Sequence, residues 1–107
     1  MPVYNKLVRD RIPEIIEKTG KIYETLILDE EEYIKSLETK LQEELQEYLT
    51  SKNDQQATEE LSDLLELILV LSQIHGSSIE EVEEIRKQKA DERGSFKEKI
   101  FLISVED

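Results

Sequence analysis

Between Leu64 and Leu71 the chain reads LLELILVL, seven apolar residues interrupted only by Glu66. In a helical register this run leaves almost no polar side, and a helix that is apolar all round must be buried all round. The rest of the chain offers little to bury it. Charged residues make up 37% of the 107 residues and apolar residues another 37%, whereas globular chains usually hold about 25% and 45–50%. Such a balance borders on that of disordered chains, but here the apolar residues fall into periodic segments. The length suits one domain, taken as residues 1–107. Two neighbouring helices within such a domain can hardly enclose Leu64–Leu71, so a second subunit is expected to cover it, as a homo-oligomer, either dimer or tetramer.

The remaining elements follow from local signals. Pro13 is placed to open a short helix, and Gly20 breaks the chain after it. Ile22–Leu28 (IYETLIL) is short and rich in β-branched and aromatic types, so it reads as a strand, as does Lys99–Val105 (KIFLISV). Asp29 with Glu32 forms a capping box for a helix from Glu30 to about Leu49, in which Ile34, Leu37, Leu41, Leu45 and Tyr48 recur at three-to-four spacing. Thr50–Gln55 is a polar connector, with Asn53 or Asp54 as the cap of a helix over Gln56–His75 that Gly76 ends. Ser77 or Ser78 caps a last helix to about Glu92, before the Arg93-Gly94-Ser95 break. The expected fold is therefore mainly α, a helical bundle completed by oligomerisation, with a small two-stranded β element from residues 22–28 and 99–105.

Charge narrows the function. There are 26 acidic and 14 basic residues, for a net charge of −12 at pH 7. That excludes a broad basic surface for nucleic acid or anionic membrane. The absence of cysteine excludes disulfides, thiolate zinc sites and cysteine nucleophiles. No apolar run is long enough to span a bilayer and the first twenty residues carry no signal-peptide pattern, so a cytoplasmic protein is expected.

A helical wheel at about 100° per residue separates ordinary acids from unusual ones. With Leu37 set at zero, Tyr48, Leu41, Ile34 and Leu45 spread to roughly 80°, Glu44 falls inside the stripe at roughly −20°, Glu47 lies on its edge, and Glu43 points away at roughly −120°. In the next helix Glu60, Asp63, Leu67, Val70 and Ile74 form one continuous seam whose N-terminal end is two carboxylates. An acid pair at this spacing is usually a solvated face, and the runs Glu30–Glu32 and Glu80–Glu84 read that way. Glu44, Glu47, Glu60 and Asp63 differ because they sit on seams. Buried carboxylates must be paired, protonated or bound to a cation, and four together need a counter-charge. An all-oxygen ligand set selects Mg²⁺, with Mn²⁺ as a substitute.

These residues also carry a family likeness. Glu43-Glu44-x-x-Glu47 followed by Glu60-x-x-Asp63 resembles the EExxE…ExxD signature of the all-α nucleoside triphosphate pyrophosphohydrolases, which include MazG, dimeric dUTPase and phosphoribosyl-ATP pyrophosphohydrolase. The opening Tyr4-Asn5-Lys6-Leu7-Val8-Arg9-Asp10-Arg11-Ile12-Pro13 and the tail Lys89-x-x-x-Arg93-Gly94-x-Phe96 are similar to a MazG-related, phosphoribosyl-ATP pyrophosphohydrolase-like subgroup. Full-length MazG enzymes carry two such domains, where this chain has one. The resemblance implies that Glu44, Glu47, Glu60 and Asp63 ligate Mg²⁺. It further implies cleavage of a nucleotide between its α- and β-phosphates, to a monophosphate and pyrophosphate, in an oligomer of helical subunits.

At that level, a carboxylate is needed to accept a proton from the attacking water, and Glu43 and Glu47 are the candidates. Lys6, Arg9, Lys89 and Arg93 occupy motif positions and are expected to hold the substrate phosphates, with Arg11 and Lys97 nearby in sequence. Gly94 either admits a ligand close to the backbone or ends a helix. His75 reads as a helix C-cap, and Tyr48, Tyr4 and Phe96 as packing residues. Two other functions remain open: phosphoribosyl-ATP hydrolysis in histidine synthesis, and a non-catalytic helical oligomerisation or regulatory module.

Overall fold

The computed structural model describes residues 2–107 and, among them, four helices: α1 (Ile12–Lys18), α2 (Glu30–Leu49), α3 (Asp54–Ile74) and α4 (Ile79–Arg93). Their ends follow the expected caps. The Asp29 carboxylate accepts from the Glu32 N–H at 2.8 Å, the Asn53 side chain from the Gln56 N–H at 2.8 Å, and the Ser78 hydroxyl from the Glu81 N–H at 3.1 Å. His75 closes α3, and Gly76 follows with φ +73°, a left-handed conformation that glycine adopts without a Cβ penalty. α3 starts two residues earlier than the sequence suggested, at Asp54, because Asn53 is the cap that the chain uses.

The connector Thr50–Asn53 turns α2 back along α3, and α4 packs on α3 in turn. Leu37 and Leu67, one from each partner of the α2–α3 pair, are the buried apolar residues among those described, with Ile34, Leu41, Leu64, Val70 and Leu71 half-buried around them. α1 does not pack against the other helices.

The expected two-stranded element is corrected: neither 22–28 nor 99–105 forms a strand. A strand exists only where a neighbour accepts its ladder, and these two segments stay unpaired and irregular. Ile22, Leu26, Ile27, Ile100, Phe101, Leu102, Ile103 and Val105 all point into solvent. Lys99 holds φ +60°, outside the β region, which breaks the second segment at its first residue. β-propensity there had no partner to act on.

The chain is extended, 62 × 35 × 25 Å with a radius of gyration of 18.5 Å, where a compact domain of this length measures about 13 Å. Its accessible surface is 10031 Å², against roughly 6200 Å² for a folded monomer of the same mass. α2, α3 and α4 therefore do not close into a bundle within one chain. Leu61, Leu65 and Ile68 of α3 and Leu45 and Leu49 of α2 remain exposed. No helix among the described residues is long and apolar enough to cross a membrane.

Candidate metal centre and adjoining cleft

The turn between α2 and α3 brings the last third of one helix beside the second turn of the other, and with them Glu44, Glu47 and Glu60. One carboxylate oxygen from each lies within 4.8 Å of the other two. Opposite ligands of a small hard cation stand about 4 Å apart, so modest side-chain rotation suffices to share one ion. Glu44 is 7% exposed, Glu60 half-buried and Glu47 open to solvent. The Oε2 atoms of both Glu44 and Glu60 are fully buried and have no hydrogen-bond partner. An orphaned buried carboxylate oxygen is costly, and on two neighbouring acids a shared proton or a shared cation relieves it. The donor set therefore fits a hard divalent ion such as Mg²⁺, the group that the four acids suggested.

Asp63, the fourth expected ligand, adjoins the cluster but is engaged elsewhere. Its Oδ1 accepts from the Arg9 guanidinium at 2.7 Å, across 54 positions of sequence. This ion pair ties the N-terminal segment onto α3. Glu43 is not one of the three clustered acids and lines a small hollow of about 160 Å³ with Asn5, Lys6 and Thr39.

Beside the acids lies a larger open cleft of about 500 Å³ between the N-terminal segment and the α2–α3 pair. Its lining combines apolar Leu7, Ile12, Leu37, Leu67 and Val70 and Tyr33 with the acids Asp10, Glu44, Asp63 and Glu66. Lys6 and Arg9 line it, so two of the four expected phosphate ligands are brought to the acids. Lys89 and Arg93 are not: both are exposed on α4 and line neither cavity. Gly94 ends α4 at φ +82° with nothing within 4 Å of where a Cβ would stand, so it is a helix terminator and not a point of close approach. Phe96 and Tyr4 do not pack, since both side chains are largely exposed.

Lys40 is the residue that sequence reasoning missed. Its ammonium lies 3.7 Å from Glu44 and 3.9 Å from Glu43, and it lines both cavities. The signal was available, because Lys40 falls at roughly −60° on the same wheel, between Glu44 and Glu47.

The cluster is electrostatically strained. Burial, followed by the neighbouring carboxyls of Glu60 and Glu47 and the charge of Asp63, pushes Glu44 up to about 7 from an ordinary value of 4.5. Burial also raises Glu60. The native state thus binds more protons than the unfolded chain between pH 4.5 and about 7. Stability contributed by protonated Glu44 is complete below its unfolded value and is lost as pH rises through its folded one. In metal-free buffer the melting temperature is therefore expected to fall from pH 5 to pH 7.5 by an amount that Glu44→Gln removes. Equal pH profiles for the two proteins by calorimetry would refute this origin of the strain.

No family model matches the chain, and no curated protein or solved structure matches it either.

Proposed function

We propose that this chain is a Mg²⁺-dependent nucleotide pyrophosphohydrolase, hydrolysing a nucleoside triphosphate or related nucleotide between its α- and β-phosphates. The observation that carries this reading is the acid cluster with two orphaned buried oxygens, opening beside a cleft that Lys6, Arg9 and Lys40 line together with Asp10, Glu44, Asp63 and Glu66. Gathered, half-buried carboxylates call for positive charge, and cations beside them suit a polyanionic ligand. The sequence likeness to the all-α pyrophosphohydrolases supports the same reading.

Glu44, Glu47, Glu60 and, once released from Arg9, Asp63 would hold the ion. When bound it supplies charge neutralisation at the phosphate oxygens and acidifies a water. Glu47, the exposed member, is open to solvent and positioned to accept a proton, while Lys6, Arg9 and Lys40 bind phosphate oxygens. The apolar part of the cleft lining, with Tyr33, suits a nucleoside, which needs a largely apolar site of some hundreds of Å³. The test is pyrophosphate release from a nucleotide panel that includes phosphoribosyl-ATP, with Mg²⁺ or with a chelator. Absence of Mg²⁺-dependent release from every nucleotide refutes the reading.

The active form is an assembly of copies. Excess surface of nearly 4000 Å² per chain relative to a compact monomer exceeds what a standard interface takes from each partner, about 800 Å². The exposed stripe of Leu61, Leu65 and Ile68 at i, i+4 and i+7 has the spacing of a helix–helix seam. Light scattering at micromolar concentration is expected to give at least twice the 12.6 kDa chain mass, and a monodisperse folded monomer would contradict it.

A further inference from the structure

Both cations nearest the cluster are already committed to its carboxylates. Arg9 donates to Asp63 at 2.7 Å, and the Lys40 ammonium sits 3.7 Å from Glu44. Each also lines the cleft in which a phosphate would lie. A divalent ion held by Glu44 and Asp63 takes the partner of Arg9 and one of the two partners of Lys40, whose ammonium keeps Glu43 at 3.9 Å. The guanidinium, 60% exposed, and the half-buried ammonium then line the cleft beside Asp10 and Glu66 and are available to an anion there.

We propose that Lys40 and Arg9 are exchangeable counter-cations: they neutralise Glu44 and Asp63 until a divalent ion takes those carboxylates, and then turn to phosphate oxygens in the cleft. This rests on the metal reading above and adds a property to it. Lys40 and Arg9 oppose binding of the ion alone and favour binding of phosphate once the ion is present. The two ligands are thus positively coupled, and their coupling free energy resides in these two side chains. Glu44 is 7% exposed and its Oε2 has no hydrogen-bond partner, so Lys40 satisfies the charge without filling the coordination that an ion would complete. Lys6 also lines the cleft, but it forms no ion pair with an acid of the cluster. It has nothing to exchange and contributes to phosphate binding alone.

Isothermal titration calorimetry with Mn²⁺, and then with inorganic pyrophosphate at saturating Mn²⁺, tests this through an opposition of signs. Lys40→Gln and Arg9→Gln are each expected to bind Mn²⁺ about two- to fivefold more tightly than the unmodified chain, since a competing ion pair is gone. The same variants should bind pyrophosphate about tenfold more weakly, since a charge-assisted contact is gone. Lys40→Arg retains the charge and should restore pyrophosphate binding, and Lys35→Gln, whose side chain pairs with Glu31 on the exposed face of α2, should move neither constant. Loss of both affinities in the Gln variants would mean a merely structural role and overturn the exchange. So would pyrophosphate binding that ignores both substitutions. If the unmodified chain binds no Mn²⁺ at all, the metal reading itself falls with it.

Discussion

Glu44→Gln is expected to lower Mg²⁺-dependent pyrophosphate release by about a hundred- to a thousandfold, the usual cost of losing one preorganised group that stabilises transition-state charge. Glutamine keeps the volume and the α2 position but removes the ligand charge. The same substitution should raise the metal-free melting temperature at pH 8. There Glu44 is largely ionised while buried beside Glu47 and Glu60, and a neutral amide ends that repulsion and supplies two N–H donors to the carboxylates around it. Function and stability then move in opposite directions, the pattern of a site held under strain for its chemistry. A kinetic assay with differential scanning fluorimetry reads both. Unchanged turnover would remove Glu44 from the site, and a lowered melting temperature would remove the strain.

Leu37→Ala is expected to cost about 2–5 kcal/mol, the range for truncating a buried leucine. Leu37, on α2, is 3% exposed and lines the same cleft as Leu67 of α3. A chain of this size has roughly 5–15 kcal/mol of stability in all, so one substitution removes a large part of it. The urea midpoint should fall on the order of 1–2 M at fixed protein concentration. Phe96 is 97% exposed, so Phe96→Ala should stay within about 0.5 kcal/mol. Equal effects of the two would place the core elsewhere. Because Leu37 and Leu67 both line the cleft, activity in Leu37→Ala should decline together with stability.

Much of the helical layout is legible in the residues alone because its causes are local. Asp29, Asn53 and Ser78 each cap a helix through a contact three residues away, and such contacts are set by spacing. The placing of Glu44 in the acid cluster, and of Glu43 outside it, follows from the same helical period. Residues 22–28 and 99–105 fail for the complementary reason. Their composition suits strands, but a strand is made by its neighbour, and no local rule says whether one arrives.

The separation of Arg9 from Arg93 and Lys89 makes the same point at the site. All three carry the same kind of charge in motif positions, yet Arg9 reaches Asp63 across 54 residues while the other two stay exposed on α4. Local periodicity specified the helices, their caps and the inward carboxylates of Glu44 and Glu60. The same periodicity sets Lys40 against Glu44 at i,i+4 within α2, whereas tertiary packing alone brought Arg9 to Asp63, since a pairing between distant segments depends on how helices dock. Packing also left Leu64–Leu71 only partly covered, with Leu65 and Ile68 still exposed: the demand for burial is written in that run, but one chain of this length lacks the surface to meet it.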